Sequence, residues 1–251
     1  MHRFLVLTLE APLMAFGDEI VDAYGRVRDV PGASNLTGLL ANALGWTRGQ
    51  RVAHQRLQER LVFAVRLDRP GEEIRDFQTA KLEKSDKGWT TRGNPEGRAG
   101  GDTTYESPHI RYRDLIADAA LTVALRLLSP DEAPTLDDLA AALDAPARPL
   151  FFGRKPCLPS RPLLQPGEAR RFVTAADAFL AARSAPYVVD DPDHHRDGPF
   201  LVGPATPAMP ERVAKVFVAD ERNWLAGVHG GGRLFARGRA EQLARRDGGG
   251  S

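Results

Sequence analysis

The residues best suited to chemistry are cations set beside glycine and rings. The stretch Leu150–Leu164 reads LFFGRKPCLPSRPLL. An apolar start, Leu150-Phe151-Phe152, predicts a short buried strand. Gly153 lets the backbone turn or approach a ligand closely. Arg154 and Lys155 follow directly, and Pro156, Pro159 and Pro162 keep the exit extended. A strand ending in glycine and two cations can hold positive charge toward a phosphate. The competing reading is a surface turn with solvated cations. Arg26 and Arg28 lie two residues apart, on one side of an extended chain. Arg111 and Arg113 repeat that spacing, with His109 in the same register and Tyr105 and Tyr112 interleaved. Lys81, Lys84, Lys87, Arg92 and Arg98 precede them in a polar stretch. Cations that track phosphates and rings that stack on bases suit single-stranded nucleic acid.

Other constellations carry less. Asp190, Asp191, Asp193, His194, His195 and Asp197 supply metal-ligand types, but on one short loop with no second element to complete a shell. A solvated polar loop accounts for them, and neither a metal nor a cofactor is expected. Gly32-Ala33-Ser34-Asn35-Leu36 lacks the second glycine of a nucleophile elbow, and Ser34 reads as a helix N-cap. Gly97-Arg98-Ala99-Gly100-Gly101 has no strand before it and no amphipathic helix after it, which excludes a dinucleotide fingerprint.

The elements that must position these residues follow from pattern. The chain has 251 residues, enough for one large core. Its net charge of +1 means that a nucleic-acid partner must be held by a local patch. The single cysteine, Cys157, excludes an intramolecular disulfide and fits a reducing compartment. No apolar run reaches membrane-spanning length, so a cytoplasmic location is expected.

Phe4–Leu9 predicts a central strand and Ala11–Gly17 a loop. Pro31–Trp46 predicts a helix with the stripe Leu36, Leu39, Leu40, Ala43 and Leu44, closed at Gly45. Gly38 within it points to close approach of another backbone. Arg48–Arg60 predicts a second helix, Leu61–Leu67 and Ile74–Leu82 strands, and Glu83–Thr104 a disordered loop or hairpin tip. Tyr105–Arg113 and Ala119–Leu128 predict two further strands. Thr135 with Asp138 predicts a capped helix. Arg171–Arg183 carries a helical stripe, Val213–Val218 reads as a strand, and the stretch after Gly238 as a flexible tail. Strand, helix, strand, then strand, helix, strand is the split βαβ pattern of an α+β, ferredoxin-like domain. On this reading residues 1–164 form that domain, a hairpin at about 81–113 is inserted in it, 165–238 pack on it as a smaller β-containing region, and 239–251 are tail.

In order and spacing, several stretches resemble the Cas-five group of CRISPR-associated proteins, in particular the member serving the type I-E Cascade complex. They are FLVLTLEAPLMAFG (4–17), PGASNLTGLLANALGW (31–46), LVFAVRLD (61–68), DFQTA (76–80), YRDLIADAALTVAL (112–125), LFFGRKPCLPSRPL (150–163) and RNWLAGVHGG (222–231). The resemblance implies a ferredoxin-like RAMP domain of RRM-like topology with a hairpin thumb. It implies a binding subunit rather than an enzyme, one that caps the 5′ handle of the crRNA and touches the backbone and large subunits. Target DNA would be met only through the complex. The handle-facing residues it implies are Met14, Phe16, Gly17, Arg26, Arg28, Ser34, Asn35, Gly153, Arg154 and Lys155, and the thumb contributes Lys81, His109, Arg111 and Arg113. Where relatives often carry a cation before the equivalent of Ser34, this chain has Ala33, so that one phosphate contact is either absent or supplied by Arg26 or Arg28. The tail would either lead toward a fused HNH nuclease, as in some relatives, or be an appended linker. A repeat-RNA endoribonuclease of the type I-C kind is the alternative, with Tyr24, Tyr105, Tyr112, Lys155 and His109 as its residue types.

Overall fold

The computed structural model describes residues 2–80, 88–89, 95–96, 109–164, 170–172, 200–204 and 214–239. Its centre is a pair of long strands. β1 (His2–Met14) runs antiparallel to β8 (His109–Leu127), from Leu5 opposite Leu125 to Met14 opposite Ile116. β4 (Leu61–Arg69) flanks β8 on the other side. Leu164 and β9 (Arg170–Phe172) lie along β1 at its outer edge. The spatial order β9-β1-β8-β4 is that of an antiparallel ferredoxin-like sheet with its fourth strand beside its first. Helices fill the two crossovers. α1 (Ala33–Ala43) and α2 (Arg51–Arg60) connect β1 to β4, and α3 (Leu136–Asp144) follows β8.

Alternation explains the core. Leu5, Leu7 and Leu9 of β1 and Leu121, Val123 and Leu125 of β8 share the face on which Leu36, Leu39 and Leu40 of α1 and Leu139 and Leu143 of α3 pack. The α1 stripe is therefore the buried one expected. α3 starts as the sequence predicts: the Thr135 hydroxyl accepts from the Asp138 amide at 3.2 Å, and the Asp138 carboxylate accepts from Thr135 N–H at 2.8 Å. Beyond β4 the sheet continues through β10 (Phe200–Pro204), β14 (Arg233–Arg239) and β11 (Ala214–Val218).

Several local expectations are corrected. Ala11–Gly17 is not a loop: β1 runs on to Met14, and β2 (Phe16–Val21) begins at once and turns into β3 (Tyr24–Arg28). The separate strands expected at Tyr105–Arg113 and Ala119–Leu128 are one strand among the described residues, β8. β5 (Glu72–Ala80) pairs with the first half of β8, from Ala80 opposite His109 to Glu72 opposite Ala117. The stem of the projecting hairpin is thus the continuation of the core hairpin β4–β8. Further out, β6 (Gly88–Trp89) pairs with β7 (Pro95–Glu96). Leu150–Phe152 is not a strand. Phe152 C=O accepts from Ala15 N–H at 3.0 Å, and Phe152 N–H donates to Cys157 C=O at 2.8 Å, closing a tight loop. The prolines at 149 and 156 deny that segment a ladder, and Leu164 and β9 take the fourth-strand place. Arg171 and Phe172 are strand rather than the start of a helix. Gly38 has open space where a side chain would stand, so among the described residues no other element's backbone approaches it. β12 (Arg222–Asn223) and β13 (Val228–His229) form a small hairpin in the stretch before Gly232. No helix of the described residues is long and apolar enough to cross a membrane.

Candidate nucleic-acid interface

Three distant stretches meet at the root of the hairpin stem. β3 adds to the sheet by parallel pairing with β8, with Tyr24 beside Tyr112 and Gly25 beside Arg113. β5 lies on the other side of β8, with Phe77 opposite Tyr112 and Arg75 opposite Asp114. Side chains two residues apart share a face. One face therefore carries two cross-strand rows, Tyr24–Tyr112–Phe77 and Arg26–Asp114–Arg75.

Asp114 is the buried centre of the second row, 2% exposed. Arg75 donates to both its oxygens, at 2.6 and 3.1 Å. These bonds hold the Asp114 carboxyl below the usual carboxylate range against the opposing effect of burial, and the charges of Arg75, Arg26 and Arg154 act in the same direction. Arg154 enters from the 150–158 loop. Burial pushes its pKa down, and the neighbouring Arg113 adds to that, while Asp114 and Asp76 oppose it. Arg26, Arg75 and Arg154 thus gather around one buried carboxylate that already binds Arg75, and Arg113, on the opposite face of β8 from Asp114, lies beside Arg154. The guanidiniums of Arg26 and Arg154 make no hydrogen bond or ion pair among the described residues, and that of Arg113 hydrogen-bonds there only to the Tyr112 carbonyl, at 3.4 Å. Arg113 lies across Gly25, where a Cβ would stand 2.8 Å from its Nη1. The glycine is what lets this guanidinium lie flat on β3.

The loop that carries Arg154 is fixed. Gly153 has φ +85°, and a Cβ there would lie 1.8 Å from the Ala15 carbonyl oxygen. Only glycine fits. Cys157 is fully buried, with its amide donating to the Arg154 carbonyl at 2.9 Å. Burial pushes its thiol pKa up, which makes it a packing residue. Between this loop and the first turn of α1 lies a small hollow lined by Phe16, Pro31, Asn35, Leu36, Leu39, Phe151 and Gly153.

The sequence-derived residues separate accordingly. Arg26 and Arg154, the latter carried beside Gly153, both act on Asp114, and Arg113 lies beside Arg154. Lys155 is exposed on the same loop. Asn35 and Gly153 share the hollow. Met14 and Phe16 are 0% and 2% exposed, because both belong to the core. Their side chains are corrected from RNA-facing to structural. Gly17 stands in β2 opposite Val27, with open space where a side chain would be. Arg28 is engaged: it donates to Asp18 at 2.8 Å and to the Ala219 carbonyl at 2.9 Å, tying β3 to the C-terminal strands. Of the two arginines of β3, Arg26 is thus the exposed one. Arg111 is exposed on the stem, its guanidinium on the Ile110 carbonyl at 2.8 Å, and His109 begins β8 at its outer end. Lys81 and the remaining thumb cations lie outside the described residues, as does the Asp190–Asp197 cluster.

Ser34 is not the N-cap. Gly32 is, and the first amides of α1 are already satisfied. Gly32 N–H donates to Asn35 Oδ1 at 3.0 Å, Ala33 N–H to the Asp220 carboxylate at 2.7 Å, and Ser34 N–H to the Asp220 carbonyl at 2.9 Å. Arg233 braces Asp220 at 2.8 Å. A helix N-terminus is a ready anion site, and here the chain's own carboxylate fills it. Sequence reasoning missed Asp220, Arg75, Phe77 and Asp114. The alternation Arg111-Tyr112-Arg113-Asp114 was the available signal, and it needed the register of β5 and β3 to become a surface.

A family model described as "CRISPR-associated protein (Cas_Cas5)" matches residues 4–230. The chain is 30% identical over 163 residues to "CRISPR system Cascade subunit CasD" of Escherichia coli (strain K12), covering 65% of this chain and 70% of that protein. Among solved structures, a chain of a "CRISPR RNA-guided surveillance complex" superposes with a TM-score of 0.62 at 22% identity, covering 94% of this chain and 88% of that one. A second, titled "Crystal structure of Cas protein", gives 0.57 at 21% identity, covering 96% and 97%. These structural likenesses bear on the fold alone.

Proposed function

Because the chain belongs to the CRISPR-associated Cas5 family, we propose that it is a non-catalytic subunit of a type I-E Cascade surveillance complex that grips the 5′ handle of the crRNA. The observation that carries the reading is the gathering of Arg26, Arg75 and Arg154 around Asp114 from three separate stretches of a nearly neutral chain, with Arg113 beside Arg154. Electrostatic focusing of that kind suits a phosphate backbone. The thumb, continuing from β5 and β8, would reach the neighbouring backbone and large subunits, and target DNA would be met only through them. A cytoplasmic location goes with that assembly.

The endoribonuclease alternative needs a Tyr, a His and a Lys together. Tyr24 and Tyr112 stack, but His109 and Tyr112, three residues apart on β8, point to opposite faces. That disposition favours binding over cleavage. The test is co-expression of the chain with a repeat–spacer transcript and the remaining complex subunits. A discrete RNA of one length is expected to co-purify with the chain. Specific cleavage of repeat RNA by the isolated protein, lost in His109→Ala, would overturn the proposal.

A further inference from the structure

We propose that the row Tyr24–Tyr112–Phe77 is a stacking platform for unpaired bases of single-stranded RNA; this rests on the RNA-binding reading above and adds a second subsite to it. Tyr24 and Tyr112 stack with ring centroids 4.9 Å apart and planes 13° from parallel. Phe77 continues the row at 5.7 Å from Tyr112, tilted by 55°. The two ends of the row are open: Phe77 is 55% exposed and Tyr24 43%. Three rings held across three strands, with two of them facing water, give up apolar surface that a core would ordinarily recover.

The occupant follows from charge. Arg75 lies over the Tyr24 ring at 5.5 Å and binds Asp114 through only part of its donor fork. Arg26 stands in the adjacent row, two residues along β3 from Tyr24. Rings flanked by guanidiniums, with one buried carboxylate among them, fit a polyanion with planar faces. A protein partner covering this patch would have to bury those cations against carboxylates of its own. Every base offers a π-face, so the platform accepts bases without reading their identity, and register is left to the cationic loop. Phe77 is the principal ring, since Tyr24 already has Arg75 on it and Tyr112 lies between its neighbours.

The experiment uses the full chain and single-stranded RNA oligomers carrying 2-aminopurine, with duplex RNA of the same sequence as control. The unmodified protein is expected to quench 2-aminopurine on binding the single strand and to bind the duplex weakly. Phe77→Ala is expected to lose the quench and about tenfold in affinity, with the salt dependence unchanged, because no cation is removed. Phe77→Trp is expected to restore both. Phe77 is exposed, so neither change empties the core. Unchanged affinity and quench in Phe77→Ala overturn the platform, as does a Phe77→Ala protein that binds RNA normally but fails to assemble with other subunits. Failure of the unmodified protein to bind any single-stranded RNA overturns the RNA-binding reading itself, and the platform with it.

Discussion

At the scale of single residues, cations of one type do three different jobs. Arg28 is spent on Asp18 and Ala219, and Arg60, 1% exposed, donates to the carbonyls of Leu128, Ser129, Glu132, Ala133 and Pro134 and so shapes the turn before α3. Arg154 has no such partner among the described residues. Arg154→Ala is therefore expected to weaken RNA binding by roughly 1–3 kcal/mol, the scale of a charge-assisted hydrogen bond, with an unchanged urea midpoint. Arg60→Ala, by contrast, is expected to unfold at lower urea and to leave the RNA affinity of the folded fraction intact. Asp114 couples the site to pH. Its folded pKa is depressed by Arg75, so the stabilisation is fully present above the unfolded carboxylate value and is lost as pH falls through the lower folded one. Asp114→Asn is expected to cost about 1–2 kcal/mol at neutral pH, Arg75 being half exposed and its bond screened. The variant's denaturation midpoint should also vary less with pH in the acid range than that of the unmodified chain.

At the scale of elements, what was legible in the sequence was whatever depends on local pattern. The α1 stripe and the Thr135–Asp138 cap could be read because both are fixed within two turns of helix. Gly153 could be read as a turn or as a close approach to a ligand; its φ of +85° bears out the turn, and the close approach is to Ala15 of the same chain. Leu150–Phe152 was misread because three apolar residues look alike in a strand and in a buried loop, and only pairing separates the two. Ser34 was misread because the carboxylate that serves the first amides of α1 belongs to Asp220, 187 positions beyond Ala33. No local rule reaches that far. The same geometry makes Asp220 a structural residue: Asp220→Ala would strip the first turn of α1 of its carboxylate and leave Arg233 unpaired from it. It is expected to destabilise the fold by about 2 kcal/mol, the upper range for a lost N-cap, read as a lower denaturation midpoint with unchanged slope.

At the scale of the molecule, the sheet order β9-β1-β8-β4 is a core hairpin extended in two directions. Along the strands it runs out into the stem, and across them it runs on into β10, β14 and β11. The residues that could grip RNA sit where β3 and the 150–158 loop meet the stem, at the end of the core. The thumb beyond the stem is then separable from them. Replacing residues 83–104 with a short glycine linker is expected to spare RNA affinity and weaken docking of neighbouring subunits, measured by assembly on size exclusion. The central claim is that a few converging arginines hold phosphates. The measurement that tests it most directly is the salt dependence of handle-RNA affinity for the unmodified chain and for Arg154→Ala. With three cations engaged on a single strand, the slope of log K against log salt is expected to be about −2, and Arg154→Ala should make it shallower by about 0.7. A flat response in the unmodified chain, or an identical slope in the variant, would contradict the account.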